Sequence, residues 1–438
     1  MQYLEQLFFL LILGISAFLI AKRAIFIKSA IHLGKDWSSG NSSSEKWKSM
    51  LLMAFGQKKM FKNLLPAILH FFVYAGFLII NLEVLEFVID GITGSHRIFA
   101  SYLGSFYTVL MNLFEFMALA VLVSCVIFLI RRNVVKVPRF QSAEMTGWPR
   151  LDANLILIIE SILMIAILKM NGADQILQTM NAHYPETGTL YISNFLMVPM
   201  LSNFSEGILI LTERGAWWFH IIGILAFAVY VTYSKHLHIF LAFPNTFYAR
   251  KAVPGKIRNM EDVTKEVQIM LGLQTDAGGT PAEPGRFGAK DVVDLTWKNL
   301  MDSFSCTECG RCTAECPANL TGKKLSPRSI MMSVRDRAEA IIKQGGEPDE
   351  KVLLDNYITR EEVNACTSCN ACVEACPVTI NPLEIIIDLR RYIAMEESGS
   401  PQDWNIMFQN IETSFSPWKF PPTDRFQWAD KIINQDNQ

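Results

Sequence analysis

Two stretches, residues 306–317 (CTECGRCTAECP) and residues 366–377 (CTSCNACVEACP), carry the same cysteine pattern 60 residues apart. Both read C-x2-C-x2-C-x3-C-P. In this spacing the first three thiolates bind one iron–sulfur cubane, and the fourth Cys, which precedes Pro, ligates the cubane of the other motif. The repeat therefore predicts two [4Fe–4S] clusters with crossed ligation. Their ligand sets are Cys306, Cys309, Cys312 and Cys376 for the first cluster, and Cys366, Cys369, Cys372 and Cys316 for the second.

The remaining cysteine usage agrees with metal binding. Eight of the nine cysteines lie in these two motifs, whereas a disulfide framework would scatter them. A structural zinc site is the alternative, but it needs four ligands that are typically paired as C-x2-C, and duplicated triplets followed by Cys-Pro do not fit it. Clustered thiols of this kind also favour a reducing compartment.

The residues around the motifs predict a helical dicluster ferredoxin domain over 292–395. The segment 326–345 opens with Ser-Pro and ends at Gly, and 382–397 has a similar helical pattern. A Gly- and Pro-rich stretch lies in a predicted linker over 251–291. The tail over 396–438 is aromatic and has no cysteine, so it either packs on the dicluster domain or docks a separate chain.

The first 250 residues predict a membrane domain. Half of the chain is apolar and its mean hydropathy is positive (+0.23), which is unusual for a soluble protein of 438 residues. The net charge of −2 gives no argument for a nucleic-acid partner. The first apolar segment lacks a basic start and a small-residue cleavage site, so we expect it to be retained. Five segments are long enough to span a bilayer, namely 4–27, 64–89, 105–130, 153–172 and 216–243.

Basic residues predict the orientation of these segments. The loops after segments one and three and the stretch after segment five are rich in Lys and Arg, whereas the other two loops carry almost only Arg97 and Arg214. The positive-inside rule then places the N-terminus outside and the cysteine-rich half in the cytoplasm. The fold class is therefore mainly α, with a five-helix transmembrane bundle followed by a dicluster domain in the cytoplasm.

Histidines lie at both ends of the predicted bundle. His70 and His238 lie near its cytoplasmic side, and His220 lies near its outer side. On one continuous helix, His220 and His238 would share a face about 27 Å apart, and His236 would point about 160° away. This pattern predicts one or two b-type haems, with His96 as the candidate second ligand on the outer side. For each histidine, a polar anchor at the membrane interface is the alternative.

Other polar residues are candidates for proton or quinone contacts. Glu115 lies deep in segment three, where a carboxylate is costly and usually functional. We expect Glu83 and Glu86 to lie at a solvated helix end. Because no local quinone motif exists, Tyr233, Lys235 and His236 are candidates by position only.

At these residues the sequence resembles a known family. The stretches 217–245 (WWFHIIGILAFAVYVTYSKHLHIFLAFPN) and 287–327 (FGAKDVVDLTWKNLMDSFSCTECGRCTAECPANLTGKKLSP) are similar to membrane-bound iron–sulfur oxidoreductases. These join a nitrate-reductase-gamma-like cytochrome b to a heterodisulfide-reductase-type dicluster domain. The resemblance implies that His70, His220 and His238 are haem ligands. Two features depart from the family pattern: helix two carries one such histidine instead of two, and no Cys-Cys-Gly motif follows Cys376.

The resemblance also implies a function. Relatives include electron-transfer-flavoprotein:menaquinone oxidoreductases, so the expected role is a respiratory-chain subunit of the cytoplasmic membrane. Electrons would pass between electron-transfer flavoprotein, a cysteine-rich iron–sulfur partner, the two clusters, haem b and menaquinone. The alternative is the membrane arm of a heterodisulfide-reductase-like thiol–disulfide enzyme. A non-catalytic anchor with structural clusters is a third possibility.

Overall fold

The computed structural model describes residues 2–181, 183–250, 255–273 and 286–435. These residues are largely helical, and the described part of the chain contains no β-strand beyond two isolated bridges. The predicted mainly α class is confirmed. The N-terminal half contains α1 Gln2–Ile31, α2 Ser43–Met50, α3 Leu64–Thr93, α4 Ala100–Leu103, α5 Ser105–Asn133, α6 Trp148–Met180, α7 Tyr191–Leu196, α8 Val198–Leu201, α9 Glu206–Val231 and α10 His238–Phe247.

Five of these helices, α1, α3, α5, α6 and α9, are long and apolar enough to cross a membrane. The first four extend beyond the predicted apolar segments because the helices continue into polar ends. Phe87 of α3 and Ile221 of α9 belong to the apolar core that the helices share. Gly76 allows α3 to approach α5 closely, since a Cβ at this position would lie 2.4 Å from a methyl group of Val121.

The fifth predicted segment, 216–243, is not one helix. Helix α9 ends at Val231 within this segment, and a 3-10 turn over Lys235–Leu237 precedes α10. Ser234 is extended, and its hydroxyl accepts a hydrogen bond from the amide of His236, as at a helix N-cap. The prediction that His220 and His238 share one face of a continuous helix is therefore wrong, because a turn separates the two residues.

The C-terminal half contains further helices and repeats one unit of structure. Its helices are α11 Glu261–Met270, α12 Trp297–Ser305, α13 Arg311–Ala314, α14 Pro317–Leu320, α15 Pro327–Lys343, α16 Leu353–Asn356, α17 Arg360–Ala365, α18 Ala371–Ala375, α19 Pro382–Arg391, α20 Gln402–Ser414 and α21 Gln427–Gln435. Thr296 before α12 and Thr359 before α17 each form a capping box. The predicted helices over 326–345 and 382–397 are confirmed as α15 and α19.

The tail does not bury its aromatic side chains on the dicluster region. Phe415 and Trp418 are 72% and 67% exposed, and Trp428 is 70% exposed. The expectation that the tail packs there is not met by these residues. Part of the predicted linker, 251–254 and 274–285, lies outside the described residues.

The two halves share one hydrophobic core at their junction. Ile27 and Ala30 of α1 lie in the same buried cluster as Leu295 and Leu300 of the C-terminal half. The backbones also pair there, because the amide of Lys35 donates to the carbonyl of Leu295 over 2.7 Å. The end of the first membrane helix is thus a structural part of the dicluster region.

A buried group of charged side chains also stabilises the junction. Asp302 accepts from Lys298 Nζ over 2.5 Å and from Arg250 Nη1 over 2.6 Å, and the side chains of Lys298 and Asp302 are inaccessible to solvent. Burial alone would raise the pKa of Asp302, but the charges of Lys298 and Arg250 outweigh it and hold that pKa below its usual range. The group therefore stabilises the fold above the ordinary Asp pKa of about 3.9, and this contribution is lost as pH falls through the lower folded-state value.

Asp302→Asn should lower the free energy of unfolding by about 3–5 kcal/mol, because it leaves a buried lysine without its counter-ion. Thermal unfolding in detergent, followed by circular dichroism, measures the effect. Asp355→Asn is the matched control, since Asp355 forms a half-exposed pair with Arg360 and should cost at most about 1 kcal/mol. Equal losses in the two variants would contradict the role of the buried group.

Candidate functional site

The two cysteine loops have the same backbone shape. Glu308 and Ser368, each between the first two cysteines of its motif, have φ of +52° and +54°. Gly310 and Asn370, each after the second cysteine, have φ of +71° and +67°. Gly and Asn are the residues that accept the left-handed region most readily, so the sequence repeat encodes a repeated loop.

The thiols form two neighbourhoods, and each contains one cysteine from the other motif. The pKa of Cys306 is raised to about 12, mainly by burial and in smaller part by charges on Cys309 and Cys376. The pKa of Cys312 is likewise raised by burial and by charges that include Cys376. The first three cysteines of motif one thus lie beside the last cysteine of motif two.

The second neighbourhood mirrors the first. The pKa of Cys372 is raised to about 12. Burial is the largest cause, and charges on Cys366, Cys316 and Cys369 contribute in the same direction. The pKa of Cys366 is also raised by burial and by the charge on Cys316. The structure therefore brings Cys316 to the first three cysteines of motif two, as the crossed ligation requires.

These thiol groups fit a bound cluster in their chemistry. Buried thiols with high pKa values gain a stable thiolate form only when metal charge compensates burial. Backbone amides surround the sulfurs: Ser368 donates to Cys366 Sγ over 3.4 Å and Ile380 to Cys376 Sγ over 3.3 Å. Such bonds tune the reduction potential of a cluster. Among the described residues, no group of three or more His, Cys, Asp or Glu side chains has the close spacing that a single metal ion needs.

The two loops differ in what covers them. A Cβ on Gly310 would lie 3.1 Å from the carbonyl oxygen of Arg139, which belongs to the loop between α5 and α6. Arg311 lies close enough to His70 for its charge to act on that ring. Cys369, by contrast, is exposed to solvent. The first neighbourhood therefore lies beside the membrane half, and the second contains a solvent-exposed thiol, that of Cys369.

Three of the predicted histidines share one hydrogen-bond arrangement. Nδ1 donates to Gln57 Oε1 in His70 (3.1 Å), to the Leu163 carbonyl in His220 (3.0 Å) and to the Lys235 carbonyl in His238 (3.0 Å). Histidines that bind metal usually donate their second ring nitrogen in this way, which leaves Nε2 for the metal. Nε2 of His220 is buried and has no partner among the described residues.

His70 and His238 lie together at the end of the bundle that meets the dicluster region. They are close enough for a charge on one ring to act on the other. Because their Nδ1 atoms are engaged, their Nε2 atoms are the nitrogens that can bind a haem iron. The residues therefore fit a haem b site between α3 and the start of α10, and when bound this haem would carry one electron at a time.

The ring of His236 makes different contacts from the ring of His238. Its Nε2 lies 3.4 Å from Glu160 Oε1, and its ring contacts that of His238 edge-on at 5.4 Å between centroids. Glu160 in turn accepts from the thiol of Cys125 over 3.3 Å. No sequence signal near residue 236 indicates Glu160, because the pair forms across two helices.

His96 does not fit a haem ligand. Its Nε2 donates to Asp174 over 3.0 Å, and its Nδ1 accepts from Arg214 over 2.8 Å. Both ring nitrogens are thus engaged in an ion network with Arg97. The candidate assignment of His96 is contradicted by this arrangement, and sequence proximity could not show the partners that α6 and α9 supply.

The membrane carboxylates also differ from expectation. Glu83 and Glu86 are buried instead of solvated, at 1% and 3% exposure. Glu86 accepts from Tyr107, whereas neither carboxylate oxygen of Glu83 has a partner in the described part of the chain. Glu115 accepts from Asn171 and from the amides at the start of α7, so in this structure it holds a helix end.

The remaining quinone candidates lie at a polar junction. Tyr233 lines a cavity of about 500 Å³ together with Arg23 and Glu308, and most of its other lining residues are charged or polar. Lys235 is buried and donates to the carbonyl of Pro149. Apolar side chains, among them Trp148, Phe304 and Met332, line the same cavity beside these charged groups.

Comparisons with known proteins agree with the cluster site. Residues 305–380 match the family described as 4Fe-4S dicluster domain. The chain is 27% identical to the probable iron-sulfur-binding oxidoreductase FadF of Bacillus subtilis, over 94% of this chain and 58% of the relative. It is 25% identical to the EtfAB:quinone oxidoreductase of Syntrophomonas wolfei, over 87% of this chain and 54% of the relative.

A third relative matches only part of the chain. One of the subunits of the dihydromethanophenazine:CoB–CoM heterodisulfide reductase of Methanosarcina mazei is 28% identical over 32% of this chain and 36% of its own length. No solved structure gives a significant match. The chain spans little more than half the length of the first two relatives. The protein is therefore a helical chain with five helices that can span a membrane and a 4Fe-4S dicluster domain, and its homologues are iron–sulfur oxidoreductases.

Proposed function

We propose that the protein is a membrane electron-transfer subunit that connects a cytoplasmic donor to a quinone pool. The observation that carries the proposal is the order of the sites. One cysteine neighbourhood contains the exposed Cys369, and the other lies beside the membrane helices near His70. This order provides a path from solvent, through two clusters, to a haem b site in the membrane.

The residues of the chain would hold and insulate this path. Four cysteines would hold each cluster, and His70 and His238 would bind the iron of the cytoplasmic haem. His220 is the candidate ligand of a second, outer haem, whose other ligand is unassigned. Asn245 of α10 fixes the dicluster region to the membrane half by donating to the carbonyl of Val378 over 2.8 Å.

The name of one relative supports the donor and acceptor that we propose. The name of the Syntrophomonas wolfei protein includes EtfAB and quinone. We propose electron-transfer flavoprotein as the donor, with a cysteine-rich iron–sulfur subunit as its intermediary, and menaquinone as the acceptor. The positive-inside pattern supports a location in the cytoplasmic membrane with the dicluster domain on the cytoplasmic side.

A second candidate function is the membrane arm of a thiol–disulfide enzyme. The partial match to a heterodisulfide reductase subunit favours it. The two functions differ in the partner that reduces or oxidises the cluster near Cys369. A disulfide-reduction assay with and without a cysteine-rich partner separates them.

Dithionite should reduce at least one b-type haem and two [4Fe–4S] clusters in the purified protein. Reduced-minus-oxidised absorbance measures the haem, and EPR measures the clusters. Reduced electron-transfer flavoprotein, added with the copurified partner, should then reduce a menaquinone analogue. A preparation with full clusters and no reducible haem would contradict the proposed path.

A further inference from the structure

A groove between α6 and α9 opens on the lipid-facing side of the bundle. Its volume is about 390 Å³, and it is open along the surface of the bundle. Ile162 and Ile165 of α6 and Phe219 of α9 form much of its apolar wall, and each is about half exposed. In a bilayer these side chains meet lipid, so an apolar ligand can enter from the membrane.

Two hydrogen-bond donors lie in the groove without a protein partner. Lys169 of α6 and Thr212 of α9 both line it. Within the described ranges, neither the ammonium group of Lys169 nor the hydroxyl of Thr212 forms a side-chain hydrogen bond or an ion pair. Lys169 is exposed on the groove side of α6. Its ammonium group can therefore donate to an acceptor oxygen of a ligand in the groove.

Gly215 of α9 also lines the groove. A Cβ at this position would meet no atom within 4 Å, so space extends outward from the backbone. The helix does not need glycine here for packing. Its effect is to leave room beside Lys169 and Thr212.

The groove lies directly behind a candidate haem ligand. His220 follows the groove residue Phe219, and its Nδ1 donates to the carbonyl of Leu163, which follows the groove residue Ile162. His220 points into the bundle, whereas Phe219 points out of it. A ligand in the groove is therefore separated from the His220 site by about one helix diameter, or 10–12 Å.

We propose that this groove binds the head group of a quinone, with Lys169 and Thr212 donating to one carbonyl oxygen and the apolar wall packing on the ring. The assignment rests on the proposed function, because it takes the quinone as the membrane partner. A quinone fits because it presents neutral acceptor oxygens on a flat apolar ring. The site lies apart from Tyr233 and Lys235 at the polar junction.

Fluorescence titration with 2-heptyl-4-hydroxyquinoline N-oxide, a quinone-site probe, tests this assignment in the whole protein. Gly215→Leu should abolish binding because the side chain fills the groove. Lys169→Gln should weaken binding about tenfold or more, as expected for the loss of one charge-assisted hydrogen bond. Dithionite should still reduce the haem and clusters in both variants.

Matched controls lie on the same class of surface. Gly207→Leu places the same side chain on α9 at another open position, and Lys22→Gln removes an exposed lysine from α1. Both should bind the probe as the unchanged protein does.

If Gly215→Leu keeps full affinity, or if the unchanged protein binds no probe, the groove is not the quinone site. If the variants lose only a copurified anionic phospholipid, the groove is a lipid site. None of these outcomes alters the dithionite spectra, which test the proposed function independently.

Discussion

His238→Ala should remove one haem b per chain from the reduced-minus-oxidised spectrum while both cluster EPR signals remain. The reason is geometric: Nδ1 of His238 donates to the Lys235 carbonyl, so Nε2 is the nitrogen that could bind a haem iron. The variant would lose a side chain that we propose holds the haem iron, and alanine supplies no ligand in its place. His70→Ala should remove the same haem, because the two rings are neighbours.

His236→Ala is the control for this experiment. His236 is two residues from His238 and its ring contacts that of His238, but its own Nε2 lies against Glu160. Haem content should therefore stay equal to that of the unchanged protein, with at most a shifted potential. A His238→Ala protein with unchanged haem content would refute the assignment, and so would haem loss in His236→Ala alone.

Exchanging the cluster ligands gives the second large effect. Cys316→Ser should destroy the EPR signal of the cluster bound by Cys366, Cys369 and Cys372, because Cys316 lies among those thiols. Cys376→Ser should instead destroy the cluster bound by motif one. In each case the damaged cluster is the one whose other ligands belong to the opposite motif in the sequence.

Cys125→Ser is the matched control, since Cys125 is buried in the membrane bundle and donates to Glu160. Both cluster signals should persist in this variant. Iron content per chain supplies an independent count. Damage to motif one by Cys316→Ser would overturn the crossed ligation.

The parts of the fold that sequence predicted are those encoded by local patterns. The mainly α class and the five spanning helices follow from long apolar runs. The loop repeat follows from the cysteine spacing, in which Gly310 and Asn370 allow equivalent left-handed turns. These features depend on neighbours in the chain, which a single sequence displays.

The parts that sequence missed depend on partners from other helices. The break after Val231 is stabilised by Asp152 of α6, which accepts from the amide of Lys235 over 3.0 Å. His96 is engaged by Asp174 and Arg214, more than 70 residues away. The hydropathy pattern predicts neither contact, because it shows where apolar runs lie but not which residues of distant helices pair with them.

The shared core at the junction has a consequence for biosynthesis. Ile27 and Ala30 leave the ribosome long before Leu295 and Leu300, which cover them in the finished protein. Ribosomes add about 5–20 residues per second. The interval between the synthesis of Ala30 and that of Leu295 is therefore on the order of tens of seconds. The nascent chain therefore presents an uncovered apolar surface at the membrane throughout that interval, and the dicluster region completes its interior on a template that was inserted first.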